Sequence, residues 1–313
     1  MVMALTRAGL PFLPVNAADL NTQTAEMDLL ILPEFAFVSD EELKALEAFV
    51  RRGGSIFACG DSGLFNAEGE ERRNSAFEAL LGVRLDAKPG AAGTASSWEN
   101  PVLHNYLRIE APESPVFNGF KNTAMIGMGG VFREIVSGKG VKILASYIPP
   151  FPMYPPEFVW TSRPKTDMPV ITEYVHPEGG KAIYAAWDLD AAYGRAAYPD
   201  HGDLIANIAK YLLGVKVPVL VECDAYIDFK VYRQDERLII HLVNSNNSGF
   251  AQGYAEKNIP VGPVKISVKL PGFKPGKAWA TEDNQELKLA SRADNGFTLS
   301  LDRLGVHQLI IVE

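Results

Sequence analysis

Residues 28–63 have the strand–helix–strand pattern of a parallel crossover unit, and this pattern constrains the fold more than any other part of the sequence. The apolar run Leu29–Leu32 is typical of a strand buried on both faces of a parallel sheet. Ser39 begins a helix, because Glu42 stands three residues later and completes a capping box. Ser55–Cys59 then forms the second strand. The unit predicts an α/β sheet whose functional residues lie at the carboxyl ends of its strands.

The pattern changes in the last third of the chain, where apolar and polar residues alternate. Val264–Val268 and Phe297–Leu301 are examples, and turn signals such as Asn-Gly separate the alternating segments. We therefore predict two domains. Residues 1–215 form an α/β domain with a doubly wound sheet, and residues 216–313 form a small antiparallel β-sandwich. In the first domain we expect a short strand at residues 11–15 and, after a loop, a closing helix from about Gly202 to Leu213.

Composition excludes several classes of function. The chain of 313 residues has a net charge of −8, which argues against nucleic acid and anionic membranes as partners. No apolar run approaches the roughly 20 residues of a membrane-spanning helix. Cys59 and Cys223 are far apart in the chain and form no disulfide framework, so we expect a reducing compartment, the cytoplasm.

Metal and cofactor motifs are not found in the sequence. No Cys or His pair has the spacing of metal ligands, and no phosphate-binding loop of the Walker type occurs. The five histidines are scattered along the chain at His104, His176, His201, His241 and His307. We therefore expect neither a metal nor a cofactor.

Cys59 is the candidate nucleophile for an enzymatic function, because it stands where a strand gives way to a tight loop. The order of elements resembles the class I glutamine amidotransferase fold, in which the nucleophile lies in a Gly-x-Cys-x-Gly turn. Here Ala58 and Gly60 flank the cysteine and Asp61 follows, so both glycines of that motif are missing at their places. The string His-Pro-Glu that begins at His176 lies in a predicted hairpin turn, one strand too early for a catalytic partner. The alternative interpretation of Cys59 is a buried, inert thiol.

A second group of residues lies after the last predicted core strand and in a proline-rich segment. Its members are Tyr154, Glu157, Trp160, Trp187, Asp188, Asp190, Tyr193, Arg195, Asp200 and His201. Aromatic faces next to carboxylates and an arginine suit sugar rings and hydroxyls, so the group predicts a carbohydrate-facing or interface surface. Under the alternative interpretation Asp200 caps a helix and Asp188 pairs with Arg195. Asp188 and Asp190 are too close in the chain to flank a glycosidic bond from opposite sides.

Several short segments resemble one family of glycosidases. These segments are Leu-Pro-Glu at 32–34, Ser-Asp-Glu-Glu-Leu at 39–43 and Val-Arg-Arg-Gly-Gly-Ser-Ile at 50–56, and they resemble the trimerisation domain of trimeric microbial β-galactosidases. That domain is an amidotransferase-like α/β fold without catalytic residues. The segment Leu-Ile-Ile-His-Leu-Val-Asn at 238–244 and the terminal strand resemble the small β-domain that closes such enzymes.

The resemblance implies a flavodoxin- or class I amidotransferase-like doubly wound sheet followed by a small antiparallel β-sandwich. The family's catalytic barrel has no counterpart here, and the first β–α unit of the trimerisation domain is also missing. We therefore expect the non-catalytic C-terminal portion of a β-galactosidase-like glycoside hydrolase, which forms a homo-oligomer (a trimer or dimer) or associates with a glycosidase barrel and shapes a carbohydrate site. Hydrolysis by two carboxylates would come from residues outside this sequence. The alternatives are a hydrolase or amidotransferase that uses Cys59, and a stand-alone carbohydrate-binding protein.

Overall fold

The structure is a computed structural model that describes residues 1–72, 77–89, 105–151, 155–161, 163–246, 258–292 and 296–313. These residues form two compact units. The α/β unit comprises Pro14–Gly214, and the β unit comprises Val2–Leu13 together with Val215–Glu313. Within the described residues, no helix combines the length and the apolar character needed to cross a membrane.

The described part of the chain contains six α-helices and eighteen strands. The helices are α1 (Val2–Arg7), α2 (Leu20–Gln23), α3 (Asp40–Arg51), α4 (Glu78–Leu81), α5 (Leu189–Ala196) and α6 (Pro199–Leu213). The first nine strands are β1 (Leu29–Leu32), β2 (Ser55–Cys59), β3 (Val83–Pro89), β4 (Tyr106–Ile109), β5 (Met125–Gly127), β6 (Arg133–Ser137), β7 (Val141–Ile148), β8 (Pro169–Val175) and β9 (Lys181–Ala185). The other nine are β10 (Val219–Glu222), β11 (Ile227–Gln234), β12 (Arg237–Asn244), β13 (Val264–Val268), β14 (Ala278–Ala280), β15 (Gln285–Leu287), β16 (Ala290–Ser291), β17 (Phe297–Leu301) and β18 (His307–Val312).

The main sheet of the α/β unit is mixed and has the strand order β1-β2-β9-β8-β7-β4-β5. Only β1, β2 and β9 are parallel to one another, while every other neighbouring pair is antiparallel. The predicted doubly wound sheet is therefore corrected to a mixed sheet. The short turn at residues 176–180 joins β8 to β9 as a hairpin and makes them antiparallel, and β7, β4 and β5 continue the antiparallel part of the sheet. Strands β3 and β6 form a separate two-stranded sheet.

The parallel part of this sheet is covered by helices. Every residue of β2 is buried, and the strand contacts both α3 and α6. Helix α3 contributes Leu46 and Phe49 to the core. Its predicted capping box is confirmed, because the Ser39 hydroxyl accepts from Glu42 N and the Glu42 carboxylate accepts from Ser39 N. A fully buried parallel strand with helices packed on it is the arrangement that the apolar runs of residues 28–63 predict.

Two local expectations are corrected by the structure. Residues 11–15 were expected to form a strand but form none, because two prolines remove backbone donors there. The loop expected before the closing helix contains α5, whose buried Leu189, Ala192 and Tyr193 recur at helical spacing. The closing helix α6 begins at Pro199, three residues before the expected start.

The β unit consists of two antiparallel sheets around a shared apolar core. One sheet has the order β10-β13-β17-β16 and the other β11-β12-β18-β14-β15. The segment Val2–Leu13, which the sequence analysis placed in the α/β domain, belongs to this unit. Helix α1 contacts β11, and Gly9 O accepts a hydrogen bond from Val221 N at 3.1 Å. Gly9 has φ +67°, and a Cβ there would lie 1.8 Å from Val221 O, so only glycine fits this approach.

Candidate functional site

The carboxyl ends of the three parallel strands meet at one edge of the α/β sheet. Leu32 of β1 pairs with Ala58 of β2, and Cys59 pairs with Ala185 of β9. The residues that follow these strands carry four carboxylates, here called the carboxylate cluster: Glu34, Asp61, Asp188 and Asp190. Asp61, Asp188 and Asp190 all act electrostatically on Glu34. The strand order therefore brings acidic residues to the same sheet edge although they are up to 156 positions apart in the chain (34 to 190).

Asp61 is held by a two-pronged ion pair with Arg133 of β6. Arg133 Nε donates to Asp61 Oδ1 at 2.7 Å, and Nη2 donates to Oδ2 at 2.6 Å. Arg133 is buried, so both its charge and its geometry are committed to this contact. The pair fixes the loop after β2, and Asp61 serves as its anchor.

Asp188 joins the start of α5 to the segment before β6. Its Oδ1 accepts from Val131 N at 2.6 Å, and its Oδ2 accepts from Arg195 Nη2 at 2.8 Å. Asp188 is buried, whereas Arg195 is half-exposed. The ion pair between Asp188 and Arg195 that the sequence analysis weighed as a structural alternative is thus present. Gly130 makes the contact possible, because a Cβ at that position would lie 2.0 Å from Asp188 Oδ1.

Glu34 differs from the other carboxylates in being exposed. Its backbone has φ +47°, a left-handed conformation that side-chain-bearing residues rarely adopt, and its side chain lies over Gly60. Partial burial raises the pKa of the Glu34 carboxyl, and the negative charges of Asp188, Asp61 and Asp190 raise it further. Glu34 is not one of the residues that the sequence predicts for a sugar-facing surface. Its position directly after a buried parallel strand was the available signal.

Cys59 is buried and belongs to strand β2. Its thiol donates to Asp190 Oδ1 at 3.2 Å. Burial first, and the charge of Asp190 next, raise the pKa of the thiol well above its ordinary value. The left-handed turn falls on Gly60 (φ +60°) instead of the cysteine, so the thiol is not presented on a turn. These contacts favour the protonated, inert thiol over a nucleophile.

His176 lies at the opposite end of the strands from Cys59. Cys59 pairs with Ala185 at the end of β9, while the turn that contains His176 precedes Lys181 at its start. The four residue steps from Ala185 to Lys181 alone span about 13 Å. A Cys59–His176 dyad therefore does not form in this fold.

Three aromatic residues of the predicted surface are core residues instead. Trp187, Tyr193 and His201 are each no more than 1% exposed. Trp187 forms an isolated bridge with Phe132, and His201 Nε2 lies 2.8 Å from Gly127 O. Burial lowers the pKa of His201, against smaller opposing effects of the Gly127 carbonyl, Asp200 and Asp188. These side chains support the loops under the carboxylate cluster and offer no face to a sugar.

The remaining predicted site residues are exposed or lie outside the described residues. Glu157 lies in a 3₁₀ turn, Pro156–Phe158, and Trp160 follows on irregular chain with 58% of its surface exposed. Asp200 lies in the first turn of α6, whose N-cap is Tyr198, so the expected capping role of Asp200 is corrected. Tyr154 lies outside the described residues. Across the described ranges, no hydrogen bond or ion pair joins Glu157 or Trp160 to the carboxylate cluster.

Among the described residues, no group of three or more His, Cys, Asp or Glu side chains could hold a metal ion. The carboxylate cluster itself is neutralised in part by Arg133 and Arg195. Its chemistry is therefore that of a hydrogen-bond acceptor surface with one accessible carboxyl group, Glu34.

Comparison with known proteins shows similarity in structure only. No family model and no curated protein matches the sequence. Among solved structures, α-L-fucosidase isoenzyme 2 from Paenibacillus thiaminolyticus superposes with a TM-score of 0.76 at 21% identity, over 100% of this chain and 44% of that protein. The β-galactosidase of Bacillus circulans sp. alkalophilus gives 0.62 at 12% identity, over 99% of this chain and 36% of its own. The β-galactosidase of Rahnella sp. R3 gives 0.58 at 18% identity, with 98% and 35% covered.

This chain spans less than half the length of each of these three proteins, whereas nearly all of its own residues are matched. At such identities the likeness shows the fold. The fold of this chain is therefore similar to a part of these fucosidase and β-galactosidase structures.

Proposed function

We propose that this chain is the non-catalytic C-terminal portion of a glycoside hydrolase. The observation that carries the proposal is the one-sided match: 98–100% of this chain superposes on only 35–44% of a fucosidase and two β-galactosidases. The unmatched majority of each neighbour leaves room for a separate catalytic domain. Two catalytic carboxylates would then come from residues outside this sequence.

We further propose that the α/β unit is an amidotransferase-like domain whose nucleophile position has become structural. This interpretation is supported by Cys59, which stands at the end of a central parallel strand but is buried and protonated. It is also supported by the placement of the left-handed turn at Gly60. Such a domain has no catalytic nucleophile, but it retains a sheet edge that can contact another subunit.

The sheet edge with Glu34 is the part of the α/β unit that we assign to carbohydrate or to a neighbouring subunit. Glu34 has an exposed carboxylate, a raised pKa and a strained backbone. Backbone strain and perturbed pKa values are both found most often at functional positions. Phe37 adds an exposed aromatic ring three residues later, stacked on Phe65 at 5.1 Å between centroids. A carboxylate beside an exposed aromatic pair suits a sugar ring or a subunit contact.

The proposal is tested by assaying the purified chain with nitrophenyl α-L-fucoside and nitrophenyl β-D-galactoside. We expect no turnover, because the chain would lack the catalytic carboxylates. Turnover that disappears in Asp188→Asn, with the variant still folded by circular dichroism, would overturn the proposal. Arg195→Gln is the matched control, since it removes the other half of the same ion pair without touching a carboxylate.

The assembly role is tested by sedimentation velocity across micromolar concentrations. We expect a discrete homo-oligomer, a trimer or a dimer, that Phe37→Asp dissociates because a charge replaces an exposed ring at the assigned edge. Val175→Asp is the control, because Val175 is equally exposed but lies at the other end of the sheet. A monomer at every concentration would contradict an assembly role for the isolated chain.

A stand-alone carbohydrate-binding protein is the second candidate, and the exposure of Trp160 favours it. An exposed indole is the group that sugar-binding surfaces use for stacking. Titration of galactose, fucose and their oligosaccharides should change the intrinsic fluorescence in the wild-type chain and leave it unchanged in Trp160→Phe. No response of the wild-type chain to any of these sugars would exclude this candidate.

A further inference from the structure

Two histidines that are far apart in the sequence come together on the β unit. His241 lies on β12 and His307 on β18, and these strands pair with His241 opposite Leu309 and His307 opposite Val243. The two histidines therefore occupy diagonal positions on one face of the sheet, within reach of each other. Neither is in the α/β unit, so nothing in the proposed function uses them.

The facing nitrogens of the two histidine rings are about as far apart as two nitrogen ligands of one metal ion. His241 Nδ1 and His307 Nε2 lie 3.4 Å apart. A hydrogen bond from nitrogen is usually about 2.7–3.2 Å long, so this contact is a long one. Two nitrogens that each lie about 2.0–2.1 Å from a tetrahedral zinc ion are separated by about 3.3–3.4 Å. Small rotations about the second side-chain torsion, which is soft in histidine, would turn both lone pairs toward a shared ion.

The carboxylate of Glu282 lies near the other ring nitrogen of His307. Glu282 Oε1 lies 3.5 Å from His307 Nδ1, the ring nitrogen that faces away from His241. Histidines that bind metals usually donate their second ring N–H to such a carboxylate, which fixes the tautomer and orients the ring. Tyr232 packs edge-on against His241 with 5.7 Å between ring centroids. The pair thus has both a ligand spacing and an orienting shell.

We propose that His241 and His307 form a surface site for one divalent transition-metal ion of the zinc, nickel or copper class. Neutral imidazole nitrogens suit these ions and not magnesium or calcium, and water completes the coordination. The positive charge of Lys230, which lies opposite His241, is offset by Asp228 at 3.7 Å. The bound ion would clamp β12 to β18, two central strands of the five-stranded sheet.

The test is isothermal titration calorimetry of zinc chloride into the metal-free, untagged full chain at pH 7.5. We expect one ion per chain, with Cu²⁺ binding more tightly than Zn²⁺ and Mg²⁺ not binding. His241→Ala and His307→Ala should each weaken zinc binding at least tenfold. Glu282→Gln should weaken it by about tenfold while leaving the stoichiometry unchanged, because it alters the orientation of a ligand.

Two variants serve as matched controls. His176→Ala removes a partly exposed histidine of the α/β unit, and Cys223→Ser removes a partly exposed thiol of the β unit. Both should leave zinc binding unchanged. Equal binding in wild type and in the His241→Ala/His307→Ala double variant, or no binding by the wild-type chain, would overturn the proposal. Paramagnetic resonance of the Cu²⁺-loaded wild-type chain should show coupling to two nitrogens, and this readout needs no variant to fold.

Discussion

The thiol of Cys59 has an environment that predicts low reactivity. Asp190 accepts its hydrogen bond and burial disfavours its charged form, so the thiolate is scarce at neutral pH. We expect iodoacetamide at pH 8 to alkylate only one of the two cysteines of the native chain, the partly exposed Cys223. Both should react in denaturant. Rapid alkylation of native Cys223→Ser protein would contradict this interpretation and support a cysteine enzyme.

Glu34 should lower the stability of the protein. Its backbone is strained, and its raised pKa means that its surroundings disfavour the charged form. Glu34→Gln removes the charge only, and Glu34→Gly removes both charge and strain. We expect urea unfolding at pH 7 to rank Glu34→Gly as the most stable protein, Glu34→Gln next and wild type last, with about 1 kcal/mol attributable to strain. A loss of stability in both variants would show that Glu34 makes a structural contact.

His201 should make stability depend on pH. Burial lowers its pKa in the folded state below the ordinary value of 6.5, so the unfolded chain takes up a proton first as the pH falls. Its contribution is complete above about pH 6.5 and is lost as the pH falls from there toward the folded-state pKa. We expect the free energy of unfolding to fall more steeply below about pH 6.5 in wild type than in His201→Gln. Parallel profiles would contradict this assignment.

Helix α3 is stabilised at its N-terminus by a capping box whose two residues are only three positions apart. Ser39→Ala removes the side-chain half of the capping box and should lower the free energy of unfolding by about 1 kcal/mol. Glu47→Ala is the control on the same helix, because it removes only the exposed ion pair with Arg51 and should cost less than about 0.5 kcal/mol. Equal effects in denaturant titrations would mean that the cap is not formed in solution.

The N-terminal segment Val2–Leu13 belongs to the β unit, although the α/β unit follows it directly in the chain. Gly9→Ala should destabilise the β unit by at least about 2 kcal/mol, because φ +67° is strained for alanine and its Cβ would meet Val221 O. Hydrogen exchange should therefore rise in β10 and β13. Strands β1 and β2 serve as the internal control. Increased exchange in those two strands would contradict the placement of this segment in the β unit.

The parallel unit was predictable because its determinants are local. The run Leu29–Leu32, the capping box of Ser39 and the strand Ser55–Cys59 each occupy a few consecutive residues, and all are present in the structure. The turn residues at 176–180 predict the hairpin that makes β8 and β9 antiparallel, whereas the directions of β7, β4 and β5 depend on longer connections. Helix α5 was not predicted, because its apolar residues span only eight positions and Gly194 lies among them.

The site was less predictable than the elements, because burial depends on the packing of distant segments. Trp187 and His201 lie near carboxylates in the sequence, which suggests a surface, yet both are buried in the fold. Asp61 and Arg133 are 72 positions apart, and no sequence pattern joins them. The pKa of Glu34 is raised by burial first and by the charges of Asp188, Asp61 and Asp190 next, and both effects exist only in the folded sheet.

Local sequence patterns predict the helix and strands over most of residues 28–63, and they indicate a change to antiparallel structure in the last third. They do so because hydrophobic period, caps and turns act over short distances along the chain. The burial of Cys59 beside Asp190, the four carboxylates at one sheet edge and the contact between His241 and His307 are visible only in the folded chain. Those facts follow from strand order and register, which bring together residues that no local pattern relates.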